Sequence, residues 1–271
     1  MSHCRANSVF VCSLCLILTP LTAQQASPPT ISTQAPQRDP QALAVLNQAL
    51  AVTGGAQVLG QVQDFTATGS IIYFWAGEQV QGSVTLRGRT TDQFRFDAAL
   101  SIGTRSWAVS NGEGSIRETD GTTLPIPNHN AINLGSLTFP IFTATSALQN
   151  ASATVIDLGL VSTSDHQARW IRVQQTLPLM ADPSWASKVA TKDFFIDSST
   201  LQIVKIQDMI HPPQNFIESY PHEILFSDYR LVNGVLTPFT IIETVNGQHT
   251  WTVQINQISF NTGLTDSDFQ L

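Results

Sequence analysis

Residues 229–255 read YRLVNGVLTPFTIIETVNGQHTWTVQI. Two Asn-Gly pairs, Asn233-Gly234 and Asn246-Gly247, interrupt runs built from Val, Ile, Thr, Phe and Trp. Asn-Gly accepts the positive φ that both central residues of a two-residue hairpin turn require. After the second turn the chain alternates: Trp251, Val253 and Ile255 fall on one side, Thr250, Thr252, Gln254 and Asn256 on the other. The spacing predicts three antiparallel strands over 222–232, 235–245 and 249–260. The stretch holds no catalytic motif; its turns fold a long, one-sided sheet back on itself.

The same period-two texture extends in both directions. From Asp64 onward, TATGSIIYFWAG, EQVQGSVTLRG and DQFRFDAAL read as consecutive strands. In the second, Val80, Gly82, Val84 and Leu86 share a face opposite Gln81, Ser83, Thr85 and Arg87. Short strands flank Asn111-Gly112, with another turn at Asp120-Gly121. Strands resume at ATVIDLGLVS, HQARWIRVQQT and KDFFIDSSTLQIVKIQDMI. Between the two sets, Phe139, Phe142 and Leu148 predict short helices or an apolar flap over 136–150. Ten or more strands joined by hairpins curl under their own twist into a barrel or half-barrel. The fold class expected is mainly β, an unclosed antiparallel barrel with a few helices over its concave face.

Ahead of the strands, Asp39-Pro40 supplies an N-cap and a first-turn proline. Leu43, Leu46 and Leu50 follow at helical spacing, and Gly54-Gly55 ends the helix. Residues 24–38, rich in Pro, Ser and Gln, read as a disordered linker. Residues 1–23 combine Arg5, an apolar run from Val9 to Leu18 and small residues ending at Ala23. That is a secretory signal peptide, cut after Ala23 or Ala26. One domain, 39–271, remains.

All three cysteines, Cys4, Cys12 and Cys15, fall in the leader, so the mature chain is expected to carry no disulfide and no thiolate. Charged residues make up only 12% of the chain, and without the leader 12 basic face 20 acidic residues. With no Lys/Arg cluster to neutralise phosphates, nucleic acid is not a partner. The expected form is an exported, soluble, unanchored monomer.

Four stretches carry a family resemblance: the leader helix ending in TGG and running into LGQVQDFTATGSI; LRGRTTDQFRFD; WAVSNGEGSI; and SDYRLVNGVLTPFTI with the terminal NTGLTDSDF. In their order and spacing they resemble the LolA/LolB superfamily of periplasmic outer-membrane lipoprotein carriers and its lipoprotein-sorting relatives. The resemblance spans residues 40–271. It implies an apolar concave face lidded by helices that holds acyl chains, with no cofactor and no catalysis. It also implies an arginine in the barrel mouth that latches the lid, matching Arg89 with Arg87 as the alternative; the family's following Pro is replaced by Thr90.

The side chains expected to face such a ligand are Tyr73, Trp75, Phe94, Phe96, Trp107, Phe139, Phe142, Trp170, Phe195 and Trp251. They are equally the residues that would fill a solid core. The two readings are thus a carrier for an acyl chain, lipid or lipoprotein anchor, handed on by a membrane-bound donor or acceptor protein, and an envelope scaffold with a filled barrel. A hydrolase finds no G-x-S-x-G. No metal is expected: H-E-x-x-H is absent, and His222 lies too far along a strand from Asp228 to share an ion with it. His129 and His211 read as solvated loop residues.

Overall fold

The computed structural model describes residues 36–75, 77–134, 139–163, 167–175, 188–213, 215 and 217–271, apart from the side chains of Trp75 and Asn133. The leader and most of the linker lie outside these residues. Helix α1 (Pro40–Thr53) begins as its sequence dictates: the Asp39 side chain accepts a hydrogen bond from the Gln41 N–H, and Pro40 occupies the first turn. Leu46 and Leu50 are buried along with Ala42 and Ala49, so the stripe is built as much from alanine as from leucine. Gly54 ends it at positive φ and α2 (Gly55–Leu59) adds one turn.

Among the described residues, thirteen strands follow. The first six are β1 (Asp64–Trp75), β2 (Glu78–Arg89), β3 (Gln93–Leu100), β4 (Gly103–Ser110), β5 (Glu113–Arg117) and β6 (Thr123–Ile126). Helices α3 (Asn128–Leu134) and α4 (Pro140–Gln149) come next. Then come β7 (Thr154–Ser162), β8 (Gln167–Gln174), β9 (Thr191–Asp197), β10 (Ile203–Ile210), β11 (Tyr220–Val232), β12 (Val235–Val245) and β13 (Gln248–Phe260). A short 3-10 turn, Asp266–Phe269, closes the chain.

All thirteen form one antiparallel sheet in the order β6-β5-β4-β3-β2-β1-β13-β12-β11-β10-β9-β8-β7. Neighbours in the sheet are neighbours in sequence everywhere except at β1/β13. Two meanders, β1–β6 and β7–β13, therefore meet side by side at β1 and β13. The sheet's edges are β6 and β7, and the chain between them must travel from one edge to the other. That link carries α3 and α4, which is why these helices lie across the open side. The barrel is not closed: among the described residues β7's further partner is Arg38, through one parallel bridge to Val155. Gln37 and Arg38, the end of the linker segment, are thus tied to the sheet.

The two Asn-Gly turns adopt the geometry their sequence demands, with φ of 49° and 83° at Asn233-Gly234 and 51° and 72° at Asn246-Gly247. Pro238 sits inside β12 opposite Tyr229, beside an irregularity at Asp228 whose φ is 53°. A proline that has no N–H to donate is accommodated at such a break in the ladder. Glycine is required at Gly88: the Phe65 ring occupies the space a side chain would need, its Cε1 2.4 Å from where a Cβ would stand. One apolar cluster covers the inner face, from Phe94, Phe96 and Trp107 through Phe65, Ile71 and Trp251 to Ile206, Phe194 and Ile171, with Leu46 of α1 laid over it.

Candidate functional site

The concave face has two ends of opposite chemistry. At one, Phe65 of β1 receives the residues that open α4: the Phe139 ring centroid lies 4.6 Å away and that of Phe142 6.2 Å. Phe260 completes the group, 5.8 Å from Phe139. Deeper in, Phe94 and Phe96 flank Trp107 at 4.8 and 5.6 Å, and Phe96 reaches Trp251 at 5.4 Å. Offset and tilted rings at these distances attract beyond their buried area. The space left where α4 begins, between Phe139, Ile141, Ile203 and Tyr229, is about 10 Å³. A shallower apolar seam of about 380 Å³ runs outside it, between Leu50, Ala56 and Leu59 on one side and Leu148 on the other.

Toward the opposite end the inner face turns polar. His222 on β11 is 2% exposed and donates from Nδ1 to Asp208 Oδ1 at 2.8 Å and from Nε2 to Glu243 Oε1 at 3.0 Å. Burial by itself would lower the imidazole pKa. The Asp208 and Glu243 carboxylates outweigh it and hold the ring protonated, pushing its pKa up to about 10. Both ring nitrogens donate, so neither offers a lone pair to a metal. Across β12 and β13 the row continues to Tyr73, whose hydroxyl accepts from Arg105; Arg105 also bonds both Glu118 oxygens, at 2.9 and 3.1 Å. Burial raises the Tyr73 pKa to about 12 against the opposing pull of Arg105.

Of the residues expected to face a ligand, the structure gathers Tyr73, Phe94, Phe96, Trp107, Phe139 and Trp251 into one core cluster, with Phe142 packed against it. The side chain of Trp75 lies outside the described residues. Trp170 and Phe195 correct the sequence reading. They pair with each other, in stacked contact at 5.7 Å, while their chain neighbours Ile171 and Phe194 are fully buried in the core cluster. Side chains alternate along a strand, so Trp170 and Phe195 belong to the convex face. Both RWIR and KDFF present apolar side chains at successive positions, and period two alone does not say which side faces in.

The arginines follow the same logic. Leu86 and Gly88 are buried, so Arg87 and Arg89 point outward. Arg87 pairs with Asp97 at 2.7 Å. Arg89 bonds Asp266, the Leu264 carbonyl at 2.9 Å and Gln93 at 2.6 Å, and lies over the Phe269 ring. It fastens the C-terminal segment rather than a lid helix. The residue that holds α4 is Arg38, placed by its sequence in a linker. Its guanidinium bonds the carbonyls of Asn150, Leu148 (2.9 Å) and Ala153 (3.2 Å), at the helix's C-terminal end where carbonyls lack partners. The sequence signal was slight: a lone arginine immediately before an N-cap.

His129 and His211 are not solvated, being 7% and 4% exposed. The Asn130 side chain pairs with both the N–H (3.0 Å) and the carbonyl (2.8 Å) of His211, and the two imidazoles meet edge to face at 6.0 Å. This clasp joins α3, which follows β6, to the far end of β10.

No family model matches the sequence, and no curated protein matches it. Among solved structures, the chain is similar to an outer membrane lipoprotein-sorting protein domain from Vibrio parahaemolyticus, at 12% identity over 84% of this chain and 95% of that one, with a TM-score of 0.51. It is also similar to a LolA superfamily protein from Nitrosomonas europaea, at 8% identity over 83% and 96%, with a TM-score of 0.50. The fold is LolA-like: an open antiparallel half-barrel with helices across its concave side. No helix among the described residues is long and apolar enough to cross a membrane.

Proposed function

We propose that this chain is a non-enzymatic periplasmic binding protein for an apolar ligand: an acyl chain, a lipid or the lipid anchor of another protein. The observation that carries the reading is the way α4 is seated. Phe139 and Phe142 rest on Phe65 through ring contacts, whose attraction is non-directional and can part at modest cost. An alkyl chain sliding between them replaces one apolar surface by another, and each Å² it buries is worth about 25 cal/mol. The two similar structures, an outer membrane lipoprotein-sorting domain and a LolA superfamily protein, agree with this reading. Arg38 at the other end of α4 keeps the helix attached while its Phe-bearing end lifts.

A second reading, a scaffold with a solid barrel, draws on the tight aromatic floor and the small void beneath α4. Native mass spectrometry of the exported chain purified from its own envelope, with extraction of any adduct, separates the two. The carrier reading expects one acyl-containing adduct per chain, lost in Phe142→Arg, which sets a charge at the lid's rim. A clean apo mass with no uptake of added fatty acid or lipopeptide makes the barrel solid.

A further inference from the structure

The charged residues are unevenly placed along the chain. Residues 40–63 and 121–156 contain no Asp, Glu, Lys or Arg, although the whole chain has a formal net charge of -7. These two stretches build α1, α2, α3 and α4, the helices over the open side of the half-barrel. α1 and α4 turn Leu46, Ala49, Ala144 and Ala147 toward the core. On its other side α1 leaves Ala44, Ala51 and Val52 exposed, Val52 at 40%, among Gln and Asn side chains. Between these helices the apolar seam of about 380 Å³ has the buried Leu50 and Leu59 in its wall and the exposed Ala51 and Ala56 at its rim, so it opens outward. The charges at the start of α1, Arg38 and Asp39, are opposite in sign and each serves a helix end: Arg38 bonds carbonyls of α4 and Asp39 caps α1.

A surface helix ordinarily carries charge on its outer side. Leaving charge out lowers the cost of taking that side out of water, because neutral amides lose far less hydration than ions. α1 and α2 also hold no Trp, Tyr, Phe or Arg, the residues that anchor the core of a protein–protein interface. A lipid surface needs no such anchor; apolar area without charge is enough for weak, reversible contact. The acidic remainder of the chain keeps its hydration on the other faces and so sets the orientation. We propose that the α1–α2–α4 face docks reversibly on a lipid bilayer of zwitterionic head groups, with the seam turned toward the acyl chains. No helix among the described residues is long and apolar enough to span the bilayer, so the helical contact is interfacial. The docking goes beyond the carrier reading and does not rest on it, because a solid barrel can dock by the same face.

The test is flotation of the exported chain with phosphatidylcholine vesicles, followed by hydrogen exchange on the bound fraction. Binding should persist at high salt, because no ion pair carries it. Amides of 41–59 and 141–149 should gain protection on the vesicles while those of β12 and β13 stay unchanged. Ala51→Lys and Ala51→Glu should each weaken binding about tenfold, since a charge of either sign has to be dehydrated. Ala51 is exposed and both replacements are good helix formers, so the fold should be kept. Gln254→Lys and Gln254→Glu place the same charges on the exposed convex face of β13, and binding should stay within about twofold. Failure to float with phosphatidylcholine overturns the docking, as does binding that needs anionic lipid and vanishes at high salt. Loss with only one sign of charge at Ala51, or equal loss in the Gln254 variants, overturns it too. A dimer that forms without lipid and is dissolved by Ala51→Glu assigns the face to a second copy of the chain instead.

Discussion

The two ends of the concave face are held shut by different physics. At the Phe65 end, two strands, β1 and β13, and the start of α4 meet through aromatic rings, whose attraction is broad and forgiving of displacement. At the His222 end, three adjacent strands are bound by a protonated imidazole between two carboxylates, with fixed directions and no solvent to substitute for a lost partner. Apolar contacts can open and close with modest loss; a buried ionic group broken on one side strands the rest. The difference teaches which end moves. A half-barrel that must release cargo needs one end that yields and one that does not.

Removing His222 is the harshest way to break this contrast. His222→Leu leaves the Asp208 and Glu243 carboxylates without their shared imidazolium, and a loss of about 3–5 kcal/mol is expected in urea denaturation. Phe139→Ala should cost about 3 kcal/mol at most, the low end for such truncations, because α4 detaches instead of carrying a void. Its mark should be local: amides of 140–149 lose protection from exchange while those of β11 keep theirs. Arg38→Gln removes the charged cap on the C-terminal carbonyls of α4, and about 1–2 kcal/mol should disappear, again with faster exchange in α4.

A pH series sharpens the same comparison. The folded pKa of His222, about 10, stands above its unfolded value near 6.5. The folded state then binds the extra proton, so this contribution is whole below about pH 6.5 and is lost as pH rises toward 10. Wild-type stability should fall relative to His222→Gln by up to about 1.4 kcal/mol per pH unit across that window. Equal slopes for the two proteins would mean that His222 is not held charged. The smallest effect belongs to Gly247→Ala, at φ of 72° with open space around the site: about 1 kcal/mol of left-handed backbone strain and no change in either end of the face.

Much of the fold is legible from the chain because hairpin turns and alternation are local signals. Asn233-Gly234, Asn246-Gly247 and the Asp39-Pro40 cap each specify their own geometry. The pairing of β1 with β13 is not local: nothing in DFTATGSIIYFW names a partner nearly two hundred residues away. The candidate site was half legible. Phe94 and Phe96 alternate cleanly with Arg95 and Asp97, whereas Trp170 and Phe195 sit in runs that are apolar on both faces. Arg38 escaped notice because its partners are backbone carbonyls, which leave no mark in sequence. The His222 triad escaped for another reason: its members lie on three strands, 14 and 21 residues from the histidine, and cross-strand register alone brings them together.

The central claim is that α4 opens independently of the sheet beneath it. Native-state hydrogen exchange, comparing amides of 140–149 with those of β11 around His222, tests this most directly. The account predicts that α4 exchanges by a local opening well below the global unfolding free energy, and that a bound long-chain fatty acid alters α4 and leaves β11 unchanged. If α4 and β11 exchange together at the global limit, with or without the fatty acid, the lid does not open and the carrier reading is contradicted.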